Sequence, residues 1–142
     1  MRVDARYPAA PLWAGFLYFL AVFAIGFVLG TVRTLAVEAG LGIERLLAVL
    51  IELPVMLGAS WLVAGFLVRR LAEGTGLLPR IAMGGFAFML LMAAEAGLSV
   101  VLMGRTLQAH VSLYAEASHA LGLLGQVCFA LIPALHPVRA TA

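Results

Sequence analysis

Charged residues are scarce in this chain, at 11% of its 142 residues, whereas soluble domains usually carry about a quarter. Lysine is absent, so all nine basic side chains are arginines. The net charge of +2 is small and dispersed, and no basic run alternates with aromatic residues, which excludes a nucleic-acid partner. With 64% hydrophobic residues and a mean hydropathy of +1.10, the composition instead indicates an integral membrane protein in contact with the lipid bilayer.

Residues that carry chemistry are equally few. The single cysteine, Cys128, excludes an internal disulfide and a cysteine-based zinc site. The histidines His110, His119 and His136 all lie in the last third of the chain, so one copy cannot assemble facing ligands for a b-type haem. No serine stands in an evident triad and no glycine loop is suited to phosphate. We therefore predict no catalytic residue, metal site or cofactor, and an enzyme is not favoured.

Four long apolar segments are present instead. They cover residues 12–32, about 46–68, 81–103 and about 119–138. Each approaches the ~20 residues that a helix needs to cross a bilayer. The first is uncharged for about 21 residues, longer than the ~7–15 of a signal sequence, so we expect it to be a retained span. The short connections favour antiparallel neighbours, which predicts one all-α domain over residues 1–142, a four-helix transmembrane bundle running up-down-up-down.

The arginines predict the orientation of this bundle. Six arginines fall on the side that holds both termini, and three fall on the other side. Arginine is enriched in cytoplasmic loops, so both termini are expected in the cytoplasm, with the protein in a bacterial inner (cytoplasmic) membrane. The first group is Arg2, Arg6, Arg69, Arg70, Arg80 and Arg139; the second is Arg33, Arg45 and Arg105.

One polar side chain on each span lies in the outer half of the membrane: Arg33, Glu52, Glu95 and Gln126. The last three lie roughly 9–12 Å below the outer edge, at 1.5 Å per helical residue. A carboxylate in hydrocarbon is costly and usually faces the bundle interior. One hypothesis is a structural hydrogen-bond network between helices, in which Arg33 pairs with either glutamate and Gln126 completes the network. The other is a proton relay, a cation site or a pocket for a cationic or hydroxylated ligand, with one acid protonated.

A second set of polar residues lies at the predicted outer interface, where Glu116 and His119 match the spacing E-x-x-H. That spacing serves di-metal sites only when two copies and two further acids face each other. A single copy is present, so a solvated interfacial pair is the better interpretation. With His110, these residues form a secondary candidate site. Leu107, Val111 and Tyr114 are helically spaced, which predicts a short interfacial helix or an early start of the fourth span.

Small residues predict close helix packing in two spans. Gly26 and Gly30 form a G-x-x-x-G face in the first, and Ala93 and Gly97 form a second small-residue pair in the third. Packing within the bundle is the favoured interpretation. The first face could also serve a homo-oligomer or a membrane-protein partner. Pro54 and Pro133 fall inside spans, where each frees a backbone carbonyl that needs a partner or a cavity.

Three hypotheses of function follow. The leading one is a non-enzymatic accessory or assembly subunit of a membrane complex. The alternative is a small transporter, or a proton- or cation-linked pore, using the two intramembrane carboxylates. The third is a membrane enzyme acting on a lipid or quinone at the outer interface. The sequence leaves the ligand, the partner, the oligomeric state and the organism open.

Overall fold

The helices follow from long apolar segments that must satisfy their backbone hydrogen bonds internally. The computed structural model describes residues 10–40, 44–71 and 76–137. Within these ranges the long helices are α1 (Ala10–Glu38), α2 (Arg45–Leu71), α3 (Leu77–Val101) and α5 (Ala117–Leu135). All four are long and apolar enough to span a membrane, which confirms the predicted all-α membrane bundle. The predicted orientation arginines Arg2, Arg6 and Arg139 lie outside the described residues.

A short helix lies between α3 and α5, at the end of the bundle that holds the end of α1; this end is called outer, and the opposite end inner, after the predicted orientation. The short helix is α4 (Leu107–Ser112), followed by a 3₁₀ turn at Leu113–Ala115. The side chain of Thr106 caps its start by accepting a hydrogen bond from the backbone nitrogen of Ala109 at 3.1 Å. Leu107 and Val111 are exposed apolar residues on this helix. The short helix is thus an element separate from α5, the first of the two predicted alternatives.

The four long helices form a ring in which α1 and α5 occupy opposite corners. Each of these two packs against both α2 and α3. By contrast, α2 and α3 are consecutive in sequence but make no extensive contact within the described residues. The expectation that every short connection joins packed neighbours is therefore wrong for this pair. The reason is that α3 packs closely against α1 and α5 instead, at Gly15 of α1 and Gly84 of α3.

Two glycines set these close approaches of α3. A Cβ atom at Gly15 of α1 would lie 2.7 Å from the carbonyl oxygen of Met83. A Cβ atom at Gly84 would lie 1.9 Å from the carbonyl oxygen of Ala130 in α5. Real Cβ atoms are not found so close to backbone, so only glycine permits these helix separations.

The apolar core occupies the inner half of the bundle, the half that holds the start of α1 and the end of α5. Its fully buried members include Tyr18, Met83 and Ala64, and Phe129 is 3% exposed. The rings of Tyr18 and Phe129 stack at 4.3 Å across the bundle. Tyr18 also donates a hydrogen bond of 2.9 Å to the carbonyl oxygen of Phe129. The inner half is therefore filled by side chains from all four long helices.

Candidate functional site

Arg33 and Glu52 form an ion pair between the outer ends of α1 and α2. Arg33 lies within α1, which continues to Glu38, and its Nη1 contacts Oε2 of Glu52. The two side chains are 34% and 17% exposed. They border a groove of about 250 Å³ between the helices, walled by apolar residues that include Leu29 and Val55. The pair thus joins the two helices of the first hairpin.

Glu95 and Gln126 form the corresponding link in the second hairpin. Nε2 of Gln126 donates to Oε1 of Glu95 at 2.5 Å, connecting α3 to α5. Both side chains are half-buried. The structure therefore brings the four intramembrane polar residues together as two hydrogen-bonded pairs, one for each hairpin. Arg33 contacts Glu52, and its charge also acts on Glu95 through space.

His110, Tyr114 and His119 lie at the same end of the bundle as Glu95. His110 lies on α4, which packs against α3, and His119 lies in the first turn of α5, which packs against α3 and the 3₁₀ turn. The hydroxyl of Tyr114 lies 3.5 Å from Nε2 of His110. Burial raises the pKa of Tyr114, and the charge of Glu95 raises it further. The outer connection and the intramembrane acids are separate sites in the sequence. In the structure, α4 and the 3₁₀ turn contribute to the same polar cluster as Glu95. We call Glu95, Ser99, His110, Tyr114, His119 and Gln126 the outer cluster.

Three buried polar atoms in the described residues lack a hydrogen-bond partner. They are Oγ of Ser99, Nδ1 of His110 and Oε1 of Gln126. Ser99 is 5% exposed and follows Glu95 by one helical turn on the same face of α3. A buried polar group without a partner costs about 1–3 kcal/mol, so such atoms usually bind water or a ligand. All three belong to the outer cluster.

Glu116 and His119 lie at the outer start of α5. Oε2 of Glu116 lies 3.3 Å from Nδ1 of His119, and the Glu116 side chain is 56% exposed. Oγ of Ser118 lies 3.5 Å from the same nitrogen. His110 contacts Tyr114 rather than this pair. Among the residues that the structure describes, no three His, Cys, Asp or Glu side chains are grouped as metal ligands.

The small residues of α1 and α3 differ in their surroundings. A Cβ atom at Gly26 would lie 3.0 Å from Cε of Met56, so Gly26 faces α2 of the same chain. At Gly30 the nearest atom is a nitrogen of Arg33, at 3.7 Å. A Cβ atom at Gly97 would meet nothing within 4 Å, and Ala93 is exposed. The interpretation that Ala93 and Gly97 pack within the bundle is therefore wrong.

A second polar group at the inner ends of the helices was missed in the sequence. Arg80 precedes the apolar segment 81–103 in the sequence, but it lies in α3 and is 4% exposed. Its Nη1 donates to the carbonyl oxygen of His136 at 2.6 Å. Nε2 of His136 lies 3.0 Å from the carbonyl oxygen of Trp61, and the Trp61 and His136 rings lie 4.2 Å apart. We call Arg80, His136 and Trp61 the inner latch.

Pro79 is the sequence signal for this position of Arg80. Proline is common in the first turn of a helix, so Pro79 predicts that Arg80 lies inside α3. The latch holds the end of α5 against α2 and α3. Burial lowers the pKa of His136; the charges of Arg69 and Arg80 lower it further, while the hydrogen bond to Trp61 opposes them.

Comparisons of the chain with protein-family models, with curated proteins and with solved structures find no match.

Proposed function

We propose that this chain is a non-enzymatic accessory or assembly subunit of a membrane complex. The observation that carries the proposal is the use of both intramembrane acids as links between helices. Glu52 pairs with Arg33, and Glu95 accepts a hydrogen bond from Gln126. Each link joins the two helices of one hairpin, which is a structural task.

The packing below these links supports the same proposal. Tyr18 and Met83 are fully buried and Phe129 is nearly so, and they fill the bundle on the inner side of the polar pairs. Interiors packed in this way leave no room for water or ions. This packed core lies between the polar pairs of the outer half and the inner latch, as expected of a bundle whose task is assembly rather than conduction.

Co-purification from the source membrane tests the accessory role. A tagged chain, expressed at its natural level and solubilised in a mild detergent, is expected to elute with a partner at fixed stoichiometry. Crosslinking in the intact membrane before solubilisation provides the control, because it captures complexes that detergent separates. A chain that stays monomeric after both treatments would contradict the proposal.

The second candidate is a small proton- or cation-linked transporter. The unpartnered atoms of Ser99 and Gln126 beside Glu95 favour it, since transport sites use polar groups that are not committed to structure. Flux in proteoliposomes tests it. The variant Glu95→Gln is expected to abolish flux, whereas Glu44→Gln, at an exposed acid before α2, should not change it. Absence of flux in the unaltered protein would remove this candidate.

The inner-membrane location and the cytoplasmic position of the termini are also proposed. The clustering of Arg69, Arg70 and Arg80 at the inner ends of α2 and α3 supports both. Reporter domains fused after residue 142 and within the α3–α4 connection are expected to be cytoplasmic and external, respectively. The opposite labelling would reverse the orientation of the bundle.

A further inference from the structure

The three unpartnered polar atoms belong to residues at the same end of the bundle as Glu95, on α3, α4 and α5. Ser99 lies one helical turn from Glu95 on α3, and Gln126 is hydrogen-bonded directly to Glu95. His110 lies on α4, which packs against α3. In the part of the chain that the structure describes, no other buried side-chain polar atom is without a partner. The unused hydrogen-bonding capacity of this membrane protein is therefore concentrated at one place.

These atoms are mainly hydrogen-bond acceptors. Because Nε2 of Gln126 donates to Glu95, the free end of its amide is the oxygen Oε1, which accepts. Nδ1 of His110 accepts in the tautomer that keeps its proton on Nε2, next to the Tyr114 hydroxyl. The Ser99 hydroxyl can accept as well. A ligand with several N–H donors would satisfy all of them together.

The charge balance favours a cation. Arg33 is paired with Glu52, so that pair is neutral overall, while Glu95 contacts a neutral amide. When Glu95 is ionised, as a bound cation favours, its carboxylate has no directly paired cation, because its hydrogen-bond partner is a neutral amide. Sodium and potassium prefer oxygen ligands, whereas a ring nitrogen is a good acceptor for an N–H group.

We propose that Glu95, Ser99, His110 and Gln126 form a binding site for a small primary ammonium ion that enters from the outer side. The carboxylate of Glu95 provides the charge, and the three unpartnered atoms receive the N–H groups. The proposal goes beyond the accessory role, which neither requires nor excludes a ligand. Binding is also separable from flux, so it can be present in a protein that transports nothing.

Calorimetric titration of the purified full chain in detergent tests the site, with methylammonium as the probe at constant ionic strength. Tetramethylammonium is the matched control, because it carries the same charge without an N–H donor. We expect saturable binding of methylammonium and none of tetramethylammonium, sodium or potassium. Equal binding of the two organic cations, or preference for an alkali ion, would overturn the proposal. So would the absence of binding, which would mean that water alone satisfies the cluster.

Variants of the cluster locate the site. Glu95→Gln is expected to weaken methylammonium binding about tenfold or more, because it removes a charged acceptor. Ser99→Ala is expected to weaken it about threefold to tenfold and removes only one atom, so it remains informative if Glu95→Gln does not fold. The exposed-site controls Glu44→Gln and Ser112→Ala should leave affinity unchanged. Controls that weaken binding as much as the cluster variants would contradict the assignment.

Discussion

Tyr18 supplies a hydrogen-bond donor that Pro133 removes from inside α5. Proline has no N–H, so the carbonyl of Phe129, one turn earlier, loses its helical donor. In a membrane, water cannot replace that donor. The Tyr18 hydroxyl donates to this carbonyl at 2.9 Å, and the two rings stack. One side chain thus supplies a hydrogen bond and packing at the same point, so the helix continues through its proline to Leu135.

Replacing Tyr18 by phenylalanine tests this role. The variant keeps the ring but leaves the Phe129 carbonyl without a donor, so we expect a loss of about 1–3 kcal/mol in unfolding free energy. Unfolding in mixed micelles, followed by circular dichroism, measures the loss. The variant Tyr114→Phe is the control, because its hydroxyl makes a long contact of 3.5 Å at the outer interface. Equal losses in both variants would contradict the specific role of Tyr18.

The ion pair between Arg33 and Glu52 gives a second prediction. Because both side chains are partly exposed, a loss smaller than for a fully buried pair is expected, about 1–2 kcal/mol for Glu52→Gln. The double variant Arg33→Gln/Glu52→Gln should lose less than the sum of the two single variants, because neither residue is left with an unpaired charge. A double-mutant cycle of unfolding free energies measures this coupling. Additive losses would mean that the contact contributes no stability.

Helix α3 shows how neighbouring glycines can have different tasks. Gly84 faces α5, and its hydrogen takes the place that a Cβ atom would need beside the Ala130 carbonyl. Gly85 is the next residue, but it faces outward, and a Cβ atom there would meet nothing within 4 Å. The first glycine therefore fixes a helix separation, while the second has no contact in the bundle.

These two glycines form a matched pair for mutagenesis. Gly84→Ala places a Cβ atom against the Ala130 carbonyl and pushes α3 away from α5. We therefore expect it to destabilise the bundle by about 1–3 kcal/mol or more. Gly85→Ala meets open space and improves helix propensity, so its expected effect lies between zero and a gain of about 1 kcal/mol. Thermal unfolding of the two variants in the same detergent compares them. Similar melting temperatures would contradict the close contact between α3 and α5.

The bundle as a unit is divided into two unlike halves. The inner half holds the aromatic and aliphatic core and is closed by the inner latch, in which Arg80, His136 and Trp61 join α2, α3 and the end of α5. The outer half holds the two polar pairs and the atoms without partners. The packed core and the proposed binding site therefore lie at opposite ends of the same helices.

The inner latch predicts that stability depends on pH. In the folded chain the pKa of His136 lies below its ordinary value of 6.5, so the unfolded chain takes up a proton first as the pH falls. Stability is then complete above about pH 6.5 and declines below it, toward the lowered pKa of the folded state. Melting temperatures between pH 7.5 and 5.0 measure the decline.

The variant His136→Gln isolates this contribution, because its amide keeps a donor for the Trp61 carbonyl but does not titrate. It should reduce the decline toward acidic pH, whereas His119→Gln, beside the exposed Glu116, should leave this part of the decline in place. Identical pH profiles for His136→Gln and the unaltered chain would show that the latch does not titrate in this range.

The amino-acid order alone was sufficient for the four apolar helices, and it offered a short separate helix before the last of them as one of two alternatives. Insertion into a bilayer depends on the hydrophobicity and length of each segment, and these are local quantities that can be counted. The freed carbonyl of Phe129 was likewise foreseeable from Pro133, although its donor was not.

The contacts between helices required the folded chain. Arg33 could reach either acid by sequence, and its contact with Glu52 depends on how α1 and α2 are rotated about their axes. The same rotations bury Arg80 against the end of α5 and turn Gly97 outward. Hydropathy determines whether a helix crosses the membrane. It does not determine which side of the helix faces a neighbour, because every side of such a helix can be apolar. Which side meets which neighbour is therefore decided by packing between residues far apart in the chain.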